Sequence, residues 1–313
     1  MDRVSTSTEP APVLLACAHG TRDPAGQSAV AALVAEVRTA LPDVPVVDTW
    51  VDVQEPDLVA RTAQLAGDDA VVVPLLLSAG YHVFVDMARA VRGTPRHRVA
   101  AALGPDRGLA RIMARRLAEA VRVSGGPDVG PGDRIVMVAA GSSDPRAGED
   151  CERTARLLTE EVGLPVTPAY LSAARPTLPE AVAEARRELG TPPEDRAGDD
   201  AAAERRGDPG CPEAPTESEI RAAAAGDADV PPPCPESPAH QPTTSATPRS
   251  GHGGAAGRVL VVPYLLAPGF FHGRALAAGA DVTAEPLLVA GGEVPQELVA
   301  LVVEHYREAA ALA

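Results

Sequence analysis

The stretch Val71–Asp86, which reads VVVPLLLSAGYHVFVD, decides the fold of this chain. Its first seven residues are apolar and lack the polar alternation of a half-exposed strand, so they predict a strand over Val71–Leu77 that is buried on both faces. The next three residues, Ser-Ala-Gly, open a loop at the carboxyl end of this strand, and the loop presents His82. Ligands bind at that end of the strands in open parallel α/β sheets, so the stretch predicts a candidate site as well as a fold.

Apolar strands alternate with helical patterns on both sides of this stretch. Strands are predicted at Val13–Ala18, Val44–Val53 and His97–Leu103, and helices over Gly26–Leu41, Pro56–Leu65 and Leu109–Val123. Alternation of this kind indicates parallel βαβ units with right-handed crossovers. For four strands we expect the doubly wound order 2-1-3-4, in which strand 1 is central and strands 2 and 3 lie beside it.

The pattern restarts after a linker rich in glycine and proline, residues 124–132. Gly141–Pro145 (GSSDP) echoes Gly20–Pro24 (GTRDP), and Val259–Arg274 (VLVVPYLLAPGFFHGR) echoes the stretch Val71–Asp86. The chain is therefore predicted to be a tandem duplication with an α/β fold, in which each half is a doubly wound, parallel, four-stranded sheet.

A long insertion interrupts the second half before its third strand. Residues 191–257 hold 12 prolines and 12 acidic residues, and Ile220 and Val230 are their only large apolar side chains. Such a segment cannot bury enough surface to offset the entropy lost on ordering, which predicts disorder. His240 and His252 leave open a role in metal capture or partner docking.

The duplication divides the sequence into consecutive parts. We expect a flexible N-terminus at 1–12, an N-terminal α/β half at 13–123 that carries the active site, and, after the linker, a degenerate C-terminal half at 133–313. A helix predicted at Val294–Ala311 closes the second half. Because one chain supplies both halves of a cleft, we expect a monomer.

Composition argues against several classes of function. All 28 basic residues are arginines, which removes a P-loop lysine and a Schiff-base lysine. The net charge of −15 argues against a nucleic-acid partner. The four cysteines form no Cys-x-x-Cys pair, so neither a zinc knuckle nor a disulfide framework is indicated. The first residues lack the apolar core of a signal peptide, and no apolar run approaches the roughly 20 residues of a membrane span, so we expect a cytoplasmic protein without a membrane partner.

Three side chains are expected to converge at the carboxyl ends of the first three strands. Strand 1 delivers His19, strand 2 delivers Asp52 and strand 3 delivers His82. Neighbouring strands are about 4.8 Å apart, so the predicted strand order brings the three together. Two imidazoles and a carboxylate suit a borderline divalent transition metal such as Fe²⁺, Co²⁺ or Zn²⁺, and a neutral imidazole also accepts protons near neutral pH.

Three motifs resemble those of the class II tetrapyrrole chelatases, and in particular of the sirohydrochlorin ferro- and cobaltochelatases. They are AHGTR at Ala18–Arg22, WVDVQEP at Trp50–Pro56 and VPLLLSAGYH at Val73–His82. The first is similar to the family's His-Gly-Ser/Thr-Arg after strand 1, and the second to its strand-2 segment ending in Glu-Pro. The third is similar to its strand-3 Pro-Leu-Phe/Leu-Leu followed by histidine. Asp52 stands where relatives commonly have glutamate.

This resemblance implies a lyase that inserts Fe²⁺ or Co²⁺ into sirohydrochlorin, towards sirohaem or cobalamin. The metal is then a substrate, and no permanently bound cofactor is expected. His19 and His82 are implied as metal ligands, one of them also as the proton acceptor, and Asp52 assists them.

Sirohydrochlorin carries eight carboxylates, so an acidic protein must supply local cations. The resemblance makes Arg22 the best candidate, with Arg89 and Arg92 further out. The other predicted substrate contacts lie in the loops after strands 1 and 3 and are Gly20, Thr21, Ser78, Ala79 and Gly80.

The second half keeps the fold pattern but not the candidate ligands. Ala140, Ser172 and Phe271 replace the three candidate ligands in order, which predicts a non-catalytic wall of the cleft. His272 lies one residue out of register and is kept as an extra metal ligand.

Two other functions remain open. The same ligands would serve a metal or tetrapyrrole carrier that performs no turnover. In a histidine phosphatase, a His-Gly after strand 1 carries a phosphohistidine, but that class has an arginine directly before the histidine, where this chain has Ala18.

Overall fold

The structure is a computed structural model that describes residues 11–78, 86–190 and 257–312. Several predictions lie wholly or almost wholly outside these ranges: the flexible N-terminus 1–12, the loop residues Ala79, Gly80 and His82, and the disorder of the insertion 191–257.

The N-terminal half forms a four-stranded parallel sheet, as predicted. Its elements are β1 (Val13–Ala18), α1 (Pro24–Ala40), β2 (Val46–Trp50), α2 (Leu58–Gln64), β3 (Ala70–Pro74), α3 (Ala88–Val91), β4 (His97–Val99) and α4 (Arg107–Val123). The strand order β2-β1-β3-β4 confirms the prediction and makes β1 central. β2 and β3 both end three residues before their predicted ends, because the backbone bends out of the strand conformation within the next three residues.

The C-terminal half repeats this architecture. Its elements are β5 (Arg134–Ala139), α5 (Pro145–Val162), β6 (Val166–Tyr170), α6 (Leu178–Gly190), β7 (Val259–Tyr264), α7 (Phe270–Leu276), β8 (Val282–Thr283) and α8 (Gln296–Ala310). The strands lie in the order β6-β5-β7-β8, and all pairs are parallel. Within the described ranges, no helix is both long enough and apolar enough to span a bilayer.

The register of the strands shows that the duplication extends to individual residues. Cys17 in β1 pairs with Pro74 in β3, and Val138 in β5 pairs with Pro263 in β7. These pairs are equivalent in the repeated motifs. The tandem duplication inferred from the sequence is therefore confirmed in the pairing of both sheets.

The first helix of each half begins at the same kind of cap. Asp23 Oδ1 accepts a hydrogen bond from Ala25 N at 2.8 Å, and Asp144 Oδ1 accepts one from Arg146 N at 3.0 Å. A proline follows each aspartate at the first helical position, where its missing N–H costs nothing. The Asp-Pro of each echoed motif thus starts α1 and α5 directly after the strand-end loop.

The two halves exchange their last helices. α4, which ends the first half in sequence, packs against β7 and β8 of the second sheet, whereas α8 packs against β3 and α1 of the first. The Tyr306 hydroxyl donates to Pro12 O at 2.6 Å, and His305 Nδ1 lies 3.2 Å from Ala101 O. One hydrophobic core contains buried side chains of both sheets. The boundary between the two halves therefore follows the duplicated sequence, but the last helix of each half packs on the sheet of the other.

Candidate functional site

A cleft with a volume of about 770 Å³ lies at the carboxyl ends of the strands of both sheets. This volume falls within the roughly 300–1,000 Å³ typical of small-molecule sites. The ends of β1, β2 and β3 line one wall, and the ends of β5, β6 and β7 line the other. A shallower depression of about 690 Å³ is lined by α8 and Ala40 instead of strand ends. The predicted strand-end residues that the structure describes lie at the cleft.

His19 and Asp52 lie on adjacent strand ends at one edge of the cleft. The β1–β2 pairing continues past the strands, since Val51 N donates to Ala18 O at 2.9 Å and Asp52 N donates to His19 O at 3.0 Å. Both residues are half-buried and line the cleft. The parallel pairing therefore brings together an imidazole and a carboxylate that are far apart in sequence.

A tight glycine turn allows this close approach. Gly20 has a φ of +99°, and a Cβ at this position would lie 2.1 Å from Asp52 O. Its counterpart Gly141 has a φ of +92°, and a Cβ there would lie 1.8 Å from Ser172 O. Only glycine adopts such a φ without a steric cost, so both halves need it at this point.

The backbone after β2 is held in a conformation that side chains rarely adopt. Val53 has a φ of +68°, and its counterpart Ala173 has a φ of +54°. The Val53 amide donates to Asp52 Oδ1 at 2.8 Å, which orients the carboxylate. Left-handed backbone at a β-branched residue is uncommon and is concentrated at functional sites.

Thr21 is held from three directions. Its amide donates to Gln54 Oε1 at 2.9 Å, its carbonyl accepts from Gln27 Nε2 at 2.7 Å, and its hydroxyl accepts from Asp23 N at 3.1 Å. Gln54 was not predicted from the sequence as a site residue. Its place inside the motif WVDVQEP, two residues after the candidate carboxylate Asp52, is the signal that could have identified it.

The remaining predicted substrate contacts that the structure describes occupy different positions. Arg22 is exposed at the edge of the cleft, and Ser78 lines it after β3. Arg89 and Arg92 are exposed on and just after α3 and are not part of the cleft wall. Asp86 also lines the cleft and was not predicted.

The metal-binding trio is described only in part. His82 lies outside the described ranges, so its convergence with His19 and Asp52 remains a prediction. Among the residues that the structure describes, no three His, Cys, Asp or Glu side chains are grouped as metal ligands. Burial raises the pKa of the cleft-lining Cys151 thiol to about 12, so without a metal this thiol is protonated at neutral pH.

The second wall of the cleft carries the residues that stand in place of the candidate ligands. The Ser172 hydroxyl occupies the position of Asp52. It donates a hydrogen bond to Ala140 O at 2.8 Å, so its partner is the backbone of the same half. His272 lies on α7, lines the cleft and is 7% exposed. Its Nε2 has no hydrogen-bond partner and lies 3.9 Å from Glu285 Oε2.

Solved structures with the same architecture align with almost the whole chain. SirB from Bacillus subtilis with Fe³⁺ is similar over 96% of both chains, with a TM-score of 0.59 and 19% identity. The sirohydrochlorin chelatase SirB from Bacillus subtilis subspecies spizizenii, in complex with cobalt, is similar over 96% of both chains, with a TM-score of 0.58 and 17% identity. DR2241 from Deinococcus radiodurans, a multi-domain protein with structural similarity to chelatases, aligns over 96% of this chain and 55% of its own, with a TM-score of 0.51 and 18% identity.

At these identities the solved structures show the fold alone, and they confirm the two-sheet α/β architecture. A search of curated proteins found no match. The sequence model of the CbiX family matches residues 13–120 and 134–191, which together make up more than half of the chain and lie in both halves of the duplication. The resemblance inferred from three short motifs is thereby confirmed, and the chain belongs to the CbiX family.

Proposed function

We propose that this protein is a sirohydrochlorin chelatase, a lyase that inserts Fe²⁺ or Co²⁺ into the metal-free macrocycle. The observation that carries the proposal is the pairing of His19 and Asp52 on adjacent strand ends, at the wall of a cleft of about 770 Å³. Two structures with the same fold are described with Fe³⁺ and with cobalt, which supports both metals as candidates.

The chemistry requires a base beside a metal-binding group. Insertion of a divalent metal forms bonds from the metal to the pyrrole nitrogens and releases two protons from them. A neutral imidazole, whose unperturbed pKa is about 6.5, either binds the metal or accepts one of these protons near neutral pH. His19 and His82 would share these two roles, and the Asp52 carboxylate would balance the charge of the incoming cation.

In this proposal, the loops after β1 and β3 bind the carboxylates of the substrate. Arg22, exposed at the cleft edge, would pair with a carboxylate, with Gly20 and Ser78 nearby. The Thr21 amide already donates to Gln54, so its contact with the substrate requires Gln54 to release it. His272 lines the opposite wall and its Nε2 has no hydrogen-bond partner, so it is kept in the proposal as an extra ligand that would first have to turn this nitrogen towards the cleft.

The test follows the absorbance of sirohydrochlorin after addition of Fe²⁺ or Co²⁺, with and without the purified protein. We expect the protein to accelerate insertion over the metal-only control, and we expect His19→Ala to remove most of that acceleration, about a hundredfold or more. His305→Ala is the matched control, because this histidine lies on α8 and contacts Ala101 O outside the cleft. Insertion at the metal-only rate with the wild-type protein would disprove the proposal.

The same assay separates an enzyme from a carrier. A chelatase converts many equivalents of sirohydrochlorin per protein chain, whereas a carrier stops at one. Gel filtration during turnover tests the proposed monomer, which we favour because one chain supplies both walls of the cleft.

A further inference from the structure

Phe270 is a large apolar side chain left exposed at the edge of the cleft. It is 58% exposed and yet contributes to the cleft lining. The chain contains only three phenylalanines, four tyrosines and one tryptophan, so large aromatic side chains are few. Across the described ranges, five large hydrophobic side chains are exposed, and Phe270 is the one of these five that lines the cleft. Ligand sites are concave and lined by apolar and aromatic side chains, so the position of this ring makes it a candidate ligand contact.

Neighbouring side chains hold the Phe270 ring in a defined orientation. The ring of Phe271 packs against it edge to face, with centroids 5.5 Å apart and an interplanar angle of 65°. The guanidinium carbon of Arg274 lies 6.0 Å from the centroid of the Phe270 ring. Phe270 and Arg274 are four residues apart and therefore share one face of α7. The pair combines an apolar face with a positive charge.

The segment before α7 brings this pair close to the His19 turn. A Cβ at Gly26 in α1 would lie 2.3 Å from Pro268 O, and a Cβ at Gly269 would lie 3.4 Å from Thr21 Oγ1. Pro268 and Gly269 immediately precede Phe270, and Thr21 lies two residues after His19. The backbone directly before Phe270, on the second wall, therefore lies against the turn that follows His19 on the first wall.

The charges of the cleft wall do not by themselves suit a polycarboxylate. In the described part of the lining, Arg22 is the single arginine, whereas Asp23, Asp52 and Asp86 are acidic. A substrate with eight carboxylates would be repelled by these three acids unless cations at the rim compensate for them. Arg274 supplies such a cation next to the exposed ring.

We propose that Phe270 and Arg274 form a substrate platform, in which the Phe270 ring stacks on the face of the tetrapyrrole and Arg274 pairs with a carboxylate at its rim. This inference rests on the proposed function and adds a role for the degenerate second half. That half has lost the counterparts of the candidate ligands, and its α7 instead selects a planar, polyanionic substrate.

The platform is tested by binding of metal-free sirohydrochlorin, so that insertion does not contribute. Trp50 is the one tryptophan of the chain, is 7% exposed and lines the cleft, so quenching of its fluorescence reports occupancy. We expect Phe270→Ala to raise the Kd about tenfold. Phe270→Leu should also weaken binding, because it keeps the apolar volume but removes the ring, whereas Phe270→Tyr should bind as the wild type does.

Arg274→Ala should raise the Kd about threefold in low salt, and the difference from the wild type should shrink in high salt as the charges are screened. The effect of Phe270→Ala should persist in high salt. Two variants serve as matched controls. Leu276→Ala removes an exposed apolar side chain on the same helix, and Arg156→Ala removes an exposed arginine on α5. Neither should change the Kd.

Failure of this platform can be told apart from failure of the proposed function. Wild-type protein that shows no quenching overturns both. Wild-type protein that binds, together with Phe270→Ala that binds equally well, overturns the platform and leaves the chelatase intact. In the insertion assay, Phe270→Ala should raise KM and leave kcat within about twofold. A lowered kcat at unchanged Kd would show that Phe270 acts on the reaction and not as a platform.

Discussion

The hydroxyl of Tyr264 at the end of β7 donates a hydrogen bond to the carbonyl of Leu77, just beyond β3, at 2.5 Å. Both residues line the cleft, so this bond joins its two walls directly. Gly104 makes room for it, since a Cβ there would lie 2.0 Å from the hydroxyl oxygen. One buried side chain of the second half therefore contributes directly to the contact between the walls.

Tyr264→Phe removes this bond while keeping the ring. We expect the free energy of unfolding to fall by about 1–2 kcal/mol, because the Leu77 carbonyl is left without its partner, and we expect KM for sirohydrochlorin to rise. Urea unfolding and the insertion assay measure the two effects. Tyr306→Phe is the matched control, since its hydroxyl bonds Pro12 O away from the cleft. If both variants changed KM equally, the link between walls would not control the site.

The glycine turn predicts a difference between equivalent substitutions. Gly20→Ala and Gly141→Ala should each lower the free energy of unfolding by about 1–2 kcal/mol or more, because both positions have positive φ and meet a carbonyl oxygen across the turn. Gly20→Ala should also slow metal insertion, since it pushes His19 away from Asp52. Gly141→Ala should leave the insertion rate close to that of the wild type. Equal rates for the two variants would contradict the assignment of the site to the first half.

The ion pair of Asp133 and Arg258 predicts a pH dependence of stability. Burial by itself raises the pKa of Asp133, but hydrogen bonds from Arg258 and from the Gly130 amide outweigh it, so the pKa lies below its usual value. A carboxyl with a lowered folded pKa stabilises the protein above the unfolded pKa of about 3.9 and loses this contribution as the pH falls through the folded pKa.

Asp133→Asn should therefore destabilise the protein by about 3 kcal/mol at neutral pH, because it leaves the mostly buried Arg258 charge without its partner. Below about pH 4 the difference from the wild type should shrink. Asp48→Asn, which breaks an exposed pair with Arg38, should cost less than about 1 kcal/mol. Chemical unfolding across this pH range measures both, and a pH-independent difference would contradict the role given to Asp133.

The exchanged helices predict that the halves unfold together. Leu298 on α8 is fully buried in the core that both sheets share, so Leu298→Ala should lower the free energy of unfolding by about 3 kcal/mol. Trp50 fluorescence reports the first half and far-UV circular dichroism reports both, and their transitions should coincide in the variant as in the wild type. Two separated transitions would show that the halves are independent units.

Several features could be predicted from local patterns because they depend on them alone. The apolar runs and the echo of Gly20–Pro24 at Gly141–Pro145 indicate two copies of a parallel sheet, and both observed strand orders agree. His19 and Asp52 could be paired in advance because neighbouring parallel strands end at the same edge of a sheet. The motifs also identified the family, since their spacing follows from that strand order.

Other features were decided by the tertiary structure. The periodicity of α4 and α8 shows that each helix buries one face, but not which sheet covers it, and each packs on the sheet of the other half. The bond from Thr21 to Gln54 and the exposed ring of Phe270 depend on where loops of different elements meet. The sequence alone determined the two sheets and the first wall of the cleft. Long-range packing decided how the second wall faces it, because that packing joins segments whose local patterns carry no information about each other.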